Sequence, residues 1–362
     1  MSTETAHDLL QNLRVFAWNA ASLEPAALTA IERRAADAAG RAAVVATCQR
    51  LEVYTLEPLD LDAPRCHCGR EALLHIAAVA AGLDSLVLGE TEVLGQVRSA
   101  LAAGPARLRS LCRAAVAAAR ELRREYAFTH NTGHVLDHAL GLAGTLPGGR
   151  LLILGTGRAG RRVAERGCEL GFEVVIAGRR EPALPDGVRF VPLGKVRSLE
   201  DVDVAAACLG GSAARLEAGD LPPVSRLIVD LGTPRNFLGP APARLVDIAE
   251  ILAHQSTQPA LHEQREALRA RLAELLDRHL ASAGEHEGSP VVLLRNELER
   301  IRKRELRRTL RLHPDLEHRT LEAVTRSLVN QLFHTPTRRL RQHRDAEFAA
   351  SVARLFAEEE GS

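Results

Sequence analysis

The chain has 362 residues, 46% hydrophobic and 26% charged, with aromatics at only 3%; that length predicts two or three domains whose cores are mostly Ala, Leu and Val. A net charge of +1 excludes a global field for polyanions, so any nucleic-acid contact must come from a local patch. Six cysteines do not suit a disulfide scaffold in a chain of this size, and no apolar run approaches the ~20 residues of a membrane span. The polar start MSTETAHDLLQNLR has no apolar signal core, so the expected compartment is the cytoplasm, with no membrane partner.

In chain order, residues 1–125 mix strand-like runs (Arg14–Trp18, Ala43–Ala46, Val53–Leu56) with Ala-rich helical patterns. The short segment between Tyr54 and Glu71 reads as a loop. Its Cys66-His67-Cys68 lacks the spacing and the second ligand pair of a structural zinc site, so no metal is expected. His134 and His138, four apart, have a metal-compatible spacing, but a solvated helix start is the simpler reading.

From residue 149 to about 250, Val/Ile/Leu runs alternate with helical stretches, the rhythm of βαβ units. The apolar run Leu151–Leu154 leads into Gly155-Thr156-Gly157-Arg158-Ala159-Gly160 and then an amphipathic helix. In that context the glycines read as a dinucleotide fingerprint rather than chance. The next strand ends in Gly178-Arg179-Arg180, where an arginine suits the 2′-phosphate of NADPH better than the ribose of NADH. Ala205–Ser212 and Asp230–Asn236 are further loops at the ends of parallel strands. Beyond Glu250 only helix is expected, with many i,i+4 charge pairs around Pro259–Leu280 and Val291–Arg311 and a break at Ser282–Pro290. The basic run Arg300–Arg308 reads equally as a phosphate contact or as the charged face of a helix.

Residues Thr47-Cys48-Gln49-Arg50-Leu51-Glu52 put a thiol beside a cation at a strand end. With a hydride donor elsewhere in the chain, that thiol suits a thioester route: thiolate attack on an activated acyl group, then reduction to an aldehyde. Arg50 is expected to lower the thiol pKa or to bind a substrate carboxylate. The competing reading is a small buried hydrophobe.

These six residues resemble the T-C-N-R-x-E motif of the glutamyl-tRNA reductase family, and the block from His75 through Ser85 and Glu90 to Gln96-Val97 is similar to that family's longest motif. Asp230–Asn236 (DLGTPRN) and Ser327–Thr337, with His334 and Pro336, resemble two further family patterns. The resemblance covers nearly the whole chain. It implies a multidomain α/β protein: an α+β N-terminal catalytic domain (1–130), a Rossmann NADPH-binding domain (131–246), and an all-α C-terminal dimerisation domain on a long spinal helix starting near Asp247 (247–362). It also implies NADPH-dependent reduction of glutamyl-tRNA to glutamate-1-semialdehyde and a homodimer, and leaves open whether an aminomutase partner accepts the aldehyde directly. Cys48 would be the nucleophile and His75 a proton carrier or orienting group near it. Thr47, Arg50, Ser85, Glu90 and Gln96 would bind substrate. The chain departs from the family at Asn19–Glu24, at Gln49, in the shortened 55–70 segment, and at His130–His138, where small hydroxyl residues have become His, Leu and Asp. These departures leave open a relative that reduces another aminoacyl-tRNA or acyl substrate, or a non-catalytic paralogue.

Overall fold

Strands β1 (Arg14–Asn19), β2 (Ala42–Ala46), β3 (Arg50–Thr55) and β4 (Arg65–Cys68) pair antiparallel in the order β2-β3-β1-β4. The structure, a computed structural model, describes residues 6–342 except 21, 22, 24, 39, 211–214, 234, 238, 287–289, 314 and 315. Every residue of β3 is buried. Its two-residue period sends Leu51 and Val53 into a cluster with Phe16, Trp18 and Ala42. Arg50, Glu52 and Tyr54 point the other way, where His75 on helix Gly69–Ala81 meets Glu52. β4 corrects the expectation of a loop between Tyr54 and Glu71. It pairs with β1 as an edge strand, and three of its four residues are exposed, which is why its sequence carries no apolar alternation.

A second sheet is parallel throughout. Strands β5 (Gly149–Leu154), β6 (Phe172–Gly178), β7 (Arg189–Pro192), β8 (Val202–Ala207), β9 (Val224–Asp230) and β10 (Arg244–Asp247) lie in the order β7-β6-β5-β8-β9-β10. This is doubly wound Rossmann topology, with its switch point between β5 and β8. Alternate residues feed two apolar layers, Leu151, Ile153 and Val174 on one face and Leu152, Leu154 and Val175 on the other. Such a sheet is covered on both faces, and its strands read as continuous apolar runs.

The helix expected from Asp247 is two helices. Ile248–Ser256 is capped by the Asp247 carboxylate, which accepts the Glu250 N–H at 2.8 Å. The chain breaks at Thr257-Gln258, and the 28-residue helix Pro259–His286 follows. Pro259 disfavours helical backbone at Gln258 and tolerates the first helical position, so it restarts the helix instead of continuing it. This helix is bound to the first domain by Arg269–Asp84, Arg271–Glu125 and Arg70–Asp277.

The chain divides into two units, residues 1–279 and 280–362. Within the second, helices Pro290–Leu312 and His318–Gln342 pack together, with Arg302 buried and bonded to Glu299 and Thr325. Lys303, Arg304 and Arg308 pair with Glu299 or Glu305, which fits the charged face of a helix for that part of the basic run. Val324, Leu328 and Leu332, four residues apart, form an exposed apolar stripe. Gly211, Ser212 and Pro234 of the two loops, and Ala21, Ser22 and Glu24 of the amino-terminal departure, lie outside the described residues, as do the side chains of His334 and Thr337.

The capping geometry predicts that Asp247→Ala lowers stability by about 1 kcal/mol, measured as a shifted urea midpoint with unchanged slope.

Candidate active site

Cys48 sits at the tip of the β2–β3 hairpin. The turn is tied by the Thr47 hydroxyl, which accepts the Gln49 and Arg50 N–H groups at 3.1 and 3.2 Å, and by Thr47 N–H to the Arg50 carbonyl at 2.9 Å. Gln49, the departure from the family asparagine, is buried and anchors the turn. Its carbonyl accepts the Leu86 N–H at 2.8 Å, and its amide donates to Glu90 at 3.4 Å. From the parallel-sheet domain, the Thr233 hydroxyl donates to the Cys48 carbonyl at 2.6 Å. The Asp230 carboxylate shapes that loop by accepting the Gly232, Asn236 and Phe237 N–H groups.

Beneath the turn is a buried charge cluster. The Arg50 guanidinium donates to the Asp84 carbonyl and pairs with Glu52 at 3.5 Å. Glu52 also accepts the Tyr54 hydroxyl at 2.8 Å and meets His75 Nε2 at 3.1 Å. Burial alone would push the Glu52 carboxyl up, but His75, Arg50 and Tyr54 together hold it below the usual carboxylate range. His75 stacks on His67 with ring centroids 4.2 Å apart.

Cys48, Thr47, Arg50, Ser85, Glu90 and Gln96 line one cavity of about 480 Å³. Arg158 and Ala159 of the Gly-rich turn line it too, so the thiol and the nucleotide fingerprint share a chamber. His75 is not in its described lining: Glu52 holds it below the turn. Sequence reasoning missed Glu92, Val93 and Thr132, which also line the cavity. Thr132 bonds Glu90 at 3.0 Å, and its hydroxyl within H-N-T-G was the available signal. His134, Asp137 and His138, whose departures suggested an altered substrate, line a different cavity.

Arg50 lowers the thiol pKa as expected, but it does not decide it. Burial, aided by the Glu90 charge, raises Cys48 to about 11, and Arg50 lowers it less than these raise it. Burial also raises Glu90, with the Thr132 hydrogen bond opposing and the Glu92 charge adding. A resting thiol beside a carboxyl of raised pKa is a protonated nucleophile with a proton acceptor at hand.

The Gly-rich turn fits a dinucleotide. Gly155 has φ +118°, and a Cβ there would come within 2.5 Å of the Cys208 carbonyl. A Cβ on Gly160 would meet the Gly155 carbonyl at 1.9 Å, whereas one on Gly157 would meet nothing within 4 Å, leaving open space where a pyrophosphate approaches. Helix Arg158–Glu169 starts without a side-chain cap, so its first N–H groups remain available to an anion. Gly178 presses on Thr156, which brings the end of β6 against the turn, and Arg179 and Arg180 beyond it are exposed.

Residues 9–126 match the model of the glutamyl-tRNAGlu reductase N-terminal domain, and residues 285–358 that of the glutamyl-tRNAGlu reductase dimerisation domain. The chain is 32% identical to glutamyl-tRNA reductase 2 of Nocardioides sp., over 92% of this chain and 87% of that one. It is 28% identical to glutamyl-tRNA reductase of Myxococcus xanthus, over 91% and 88%. Among solved structures, glutamyl-tRNA reductase from Methanopyrus kandleri aligns over 96% of this chain and 98% of its own, with 22% identity and a TM-score of 0.36.

The electrostatics predict that Cys48 alkylation by iodoacetamide keeps accelerating up to pH 10. Glu90→Gln removes a charge that raises the thiol pKa and should speed the reaction at pH 8 by roughly threefold or more, whereas Arg50→Met should slow it. A pseudo-first-order rate against pH reads both.

Proposed function

We propose that this chain, which belongs to the glutamyl-tRNA reductase family, reduces glutamyl-tRNA to glutamate-1-semialdehyde through a thioester on Cys48, the first step of the C5 route to tetrapyrroles. One observation carries the reading: Cys48 and the start of the Gly-rich helix, Arg158 and Ala159, border a single cavity. An acyl group carried on that sulfur lies beside the nucleotide fold.

The Cys48 sulfur attacks the ester carbonyl carbon. A C–S bond forms, the C–O bond to the tRNA ribose breaks, and Glu90 moves the thiol proton to the departing ribose oxygen. Arg50, fixed by Glu52 and the Asp84 carbonyl, anchors the substrate carboxylate. Thr47, Ser85 and Gln96 bond the rest of the amino-acid part. His75 acts at one remove, orienting Glu52 and through it Arg50. A nicotinamide cofactor bound at the Gly-rich turn would supply the hydride that adds to the thioester carbon, after which the C–S bond breaks to give the aldehyde and the Cys48 thiolate. Gly155 to Gly160 hold its pyrophosphate, and Arg179 and Arg180 take a 2′-phosphate, which makes NADPH the donor. Of the departures at 130–138, only Thr132 lines the thiol cavity, which supports the glutamyl substrate over another acyl group. The protein works in the cytoplasm, and the reactive aldehyde passes to an aminomutase.

The stripe Val324, Leu328 and Leu332 on helix His318–Gln342, inside the match to a dimerisation domain, supports a homodimer through the C-terminal helices.

Without reductant, glutamyl-tRNA should leave a glutamyl adduct on Cys48 by intact-protein mass spectrometry. Cys48→Ser should lose the adduct and at least about a thousandfold in turnover while still binding nucleotide. Reduction of another aminoacyl-tRNA with none of glutamyl-tRNA would sink the substrate assignment. Replacing both Arg179 and Arg180 by Ala should raise KM for NADPH about tenfold and leave NADH use unchanged. Leu328→Glu should shift the light-scattering mass toward that of one chain.

A further inference from the structure

A second cavity, of about 530 Å³, adjoins the thiol chamber across the segment Ser85–Leu88. Its volume is that of a small-molecule site. Tyr126 and Phe128, rings stacked 6.1 Å apart, contribute aromatic faces, while His130, His138 and Arg265 contribute basic groups. Asp137, the one carboxylate in the described lining, is spent on Arg166 through bonds of 2.9 and 2.7 Å. No second carboxylate lies in the described lining, and Asp84, whose charge supports Arg265, lies outside it. Arg265 Nε is buried and has no hydrogen-bond partner among the described residues, although a guanidinium edge is built to bind a planar carboxylate. Between the two aromatic residues, Ala127 holds φ +47°, the one positive φ outside glycine among the described residues. Backbone strain of that kind concentrates at ligand clamps.

We propose that this cavity is a second ligand site that takes a small aromatic carboxylic acid, with the carboxylate on Arg265 and the imidazoles and the ring against Tyr126 and Phe128. Its occupancy is felt at the thiol. Arg265 donates to the Ser85 carbonyl at 3.0 Å and to Gln255 at 3.1 Å, and Gln255 donates to the Leu86 carbonyl at 2.7 Å. The Leu86 N–H in turn holds Gln49 beside Cys48, and Ser85 lines the thiol cavity. A carboxylate that draws on Arg265 loosens this shared wall. The site stands apart from the reductase reading, and its test uses no turnover.

The full-length protein is titrated with 2-naphthoate, followed by its own fluorescence and by calorimetry. One saturable site per chain is expected. Affinity should fall at least tenfold in Leu261→Trp, which fills the cavity, and in Gln264→Glu, which adds a like charge to its exposed rim. Saturating naphthoate should speed iodoacetamide alkylation of Cys48 at least twofold in the parent and not in Leu261→Trp. No saturable binding, or equal binding by both variants, overturns the site. Loss of binding once Cys48 has been blocked overturns it as well, because the probe then occupies the thiol chamber. An unchanged alkylation rate overturns the coupling.

Discussion

A guanidinium buried in an inner strand of a small sheet must be surrounded by acceptors, and meeting that demand for Arg50 organises the catalytic half of this protein. Glu52, two residues along the same strand face, supplies one partner, and the Asp84 carbonyl supplies the other. Glu52 in turn needs Tyr54 and His75, which fixes helix Gly69–Ala81 over the sheet. Asp84 needs Arg269, which draws in the long helix. Leaving Arg50 or Glu52, both buried, without its partner costs about 3–5 kcal/mol, so those two stand or fall together. The turn carrying Cys48 rests on this cluster, and its position is inherited from packing well below it.

The thiol is kept inert by the same burial that positions it. The desolvation that raises Cys48 also raises Glu90, so neither group is ionised as readily as it would be in water. Such an arrangement limits unproductive reactions of the sulfur while no acyl donor is present. The antiparallel-sheet region furnishes the carboxyl and the sulfur, and the parallel-sheet region adds Arg158 and Ala159 to the cavity wall and the Thr233 hydroxyl to the turn.

Much of this was legible in the residues. Apolar runs gave three of the four antiparallel strands, and glycine spacing after Leu151–Leu154 gave the turn between β5 and helix Arg158–Glu169. Arg65–Cys68 escaped because an exposed edge strand needs no apolar alternation and gains its order from the partner strand β1. The break before Pro259 escaped because the residues on either side of it are equally compatible with helix. Arg50 lowers the thiol pKa, as its place beside Cys48 implies, but the burial that outweighs it depends on contacts made by segments distant in the chain. Thr132 and Glu92 became visible as cavity residues only once residues 85–96 and 130–134 came together. Conversely, His134 to His138 looked like substrate determinants by position and proved to face elsewhere.

The edge strand that sequence patterning overlooked carries Cys66 and Cys68, both exposed, whereas Cys48 and Cys112 are sheltered. Exposure therefore directs air oxidation to the periphery of the molecule, where thiols of neighbouring copies can pair, before it reaches the central sulfur. Purified material can look aggregated on a non-reducing gel and yet keep its full working complement of thiols.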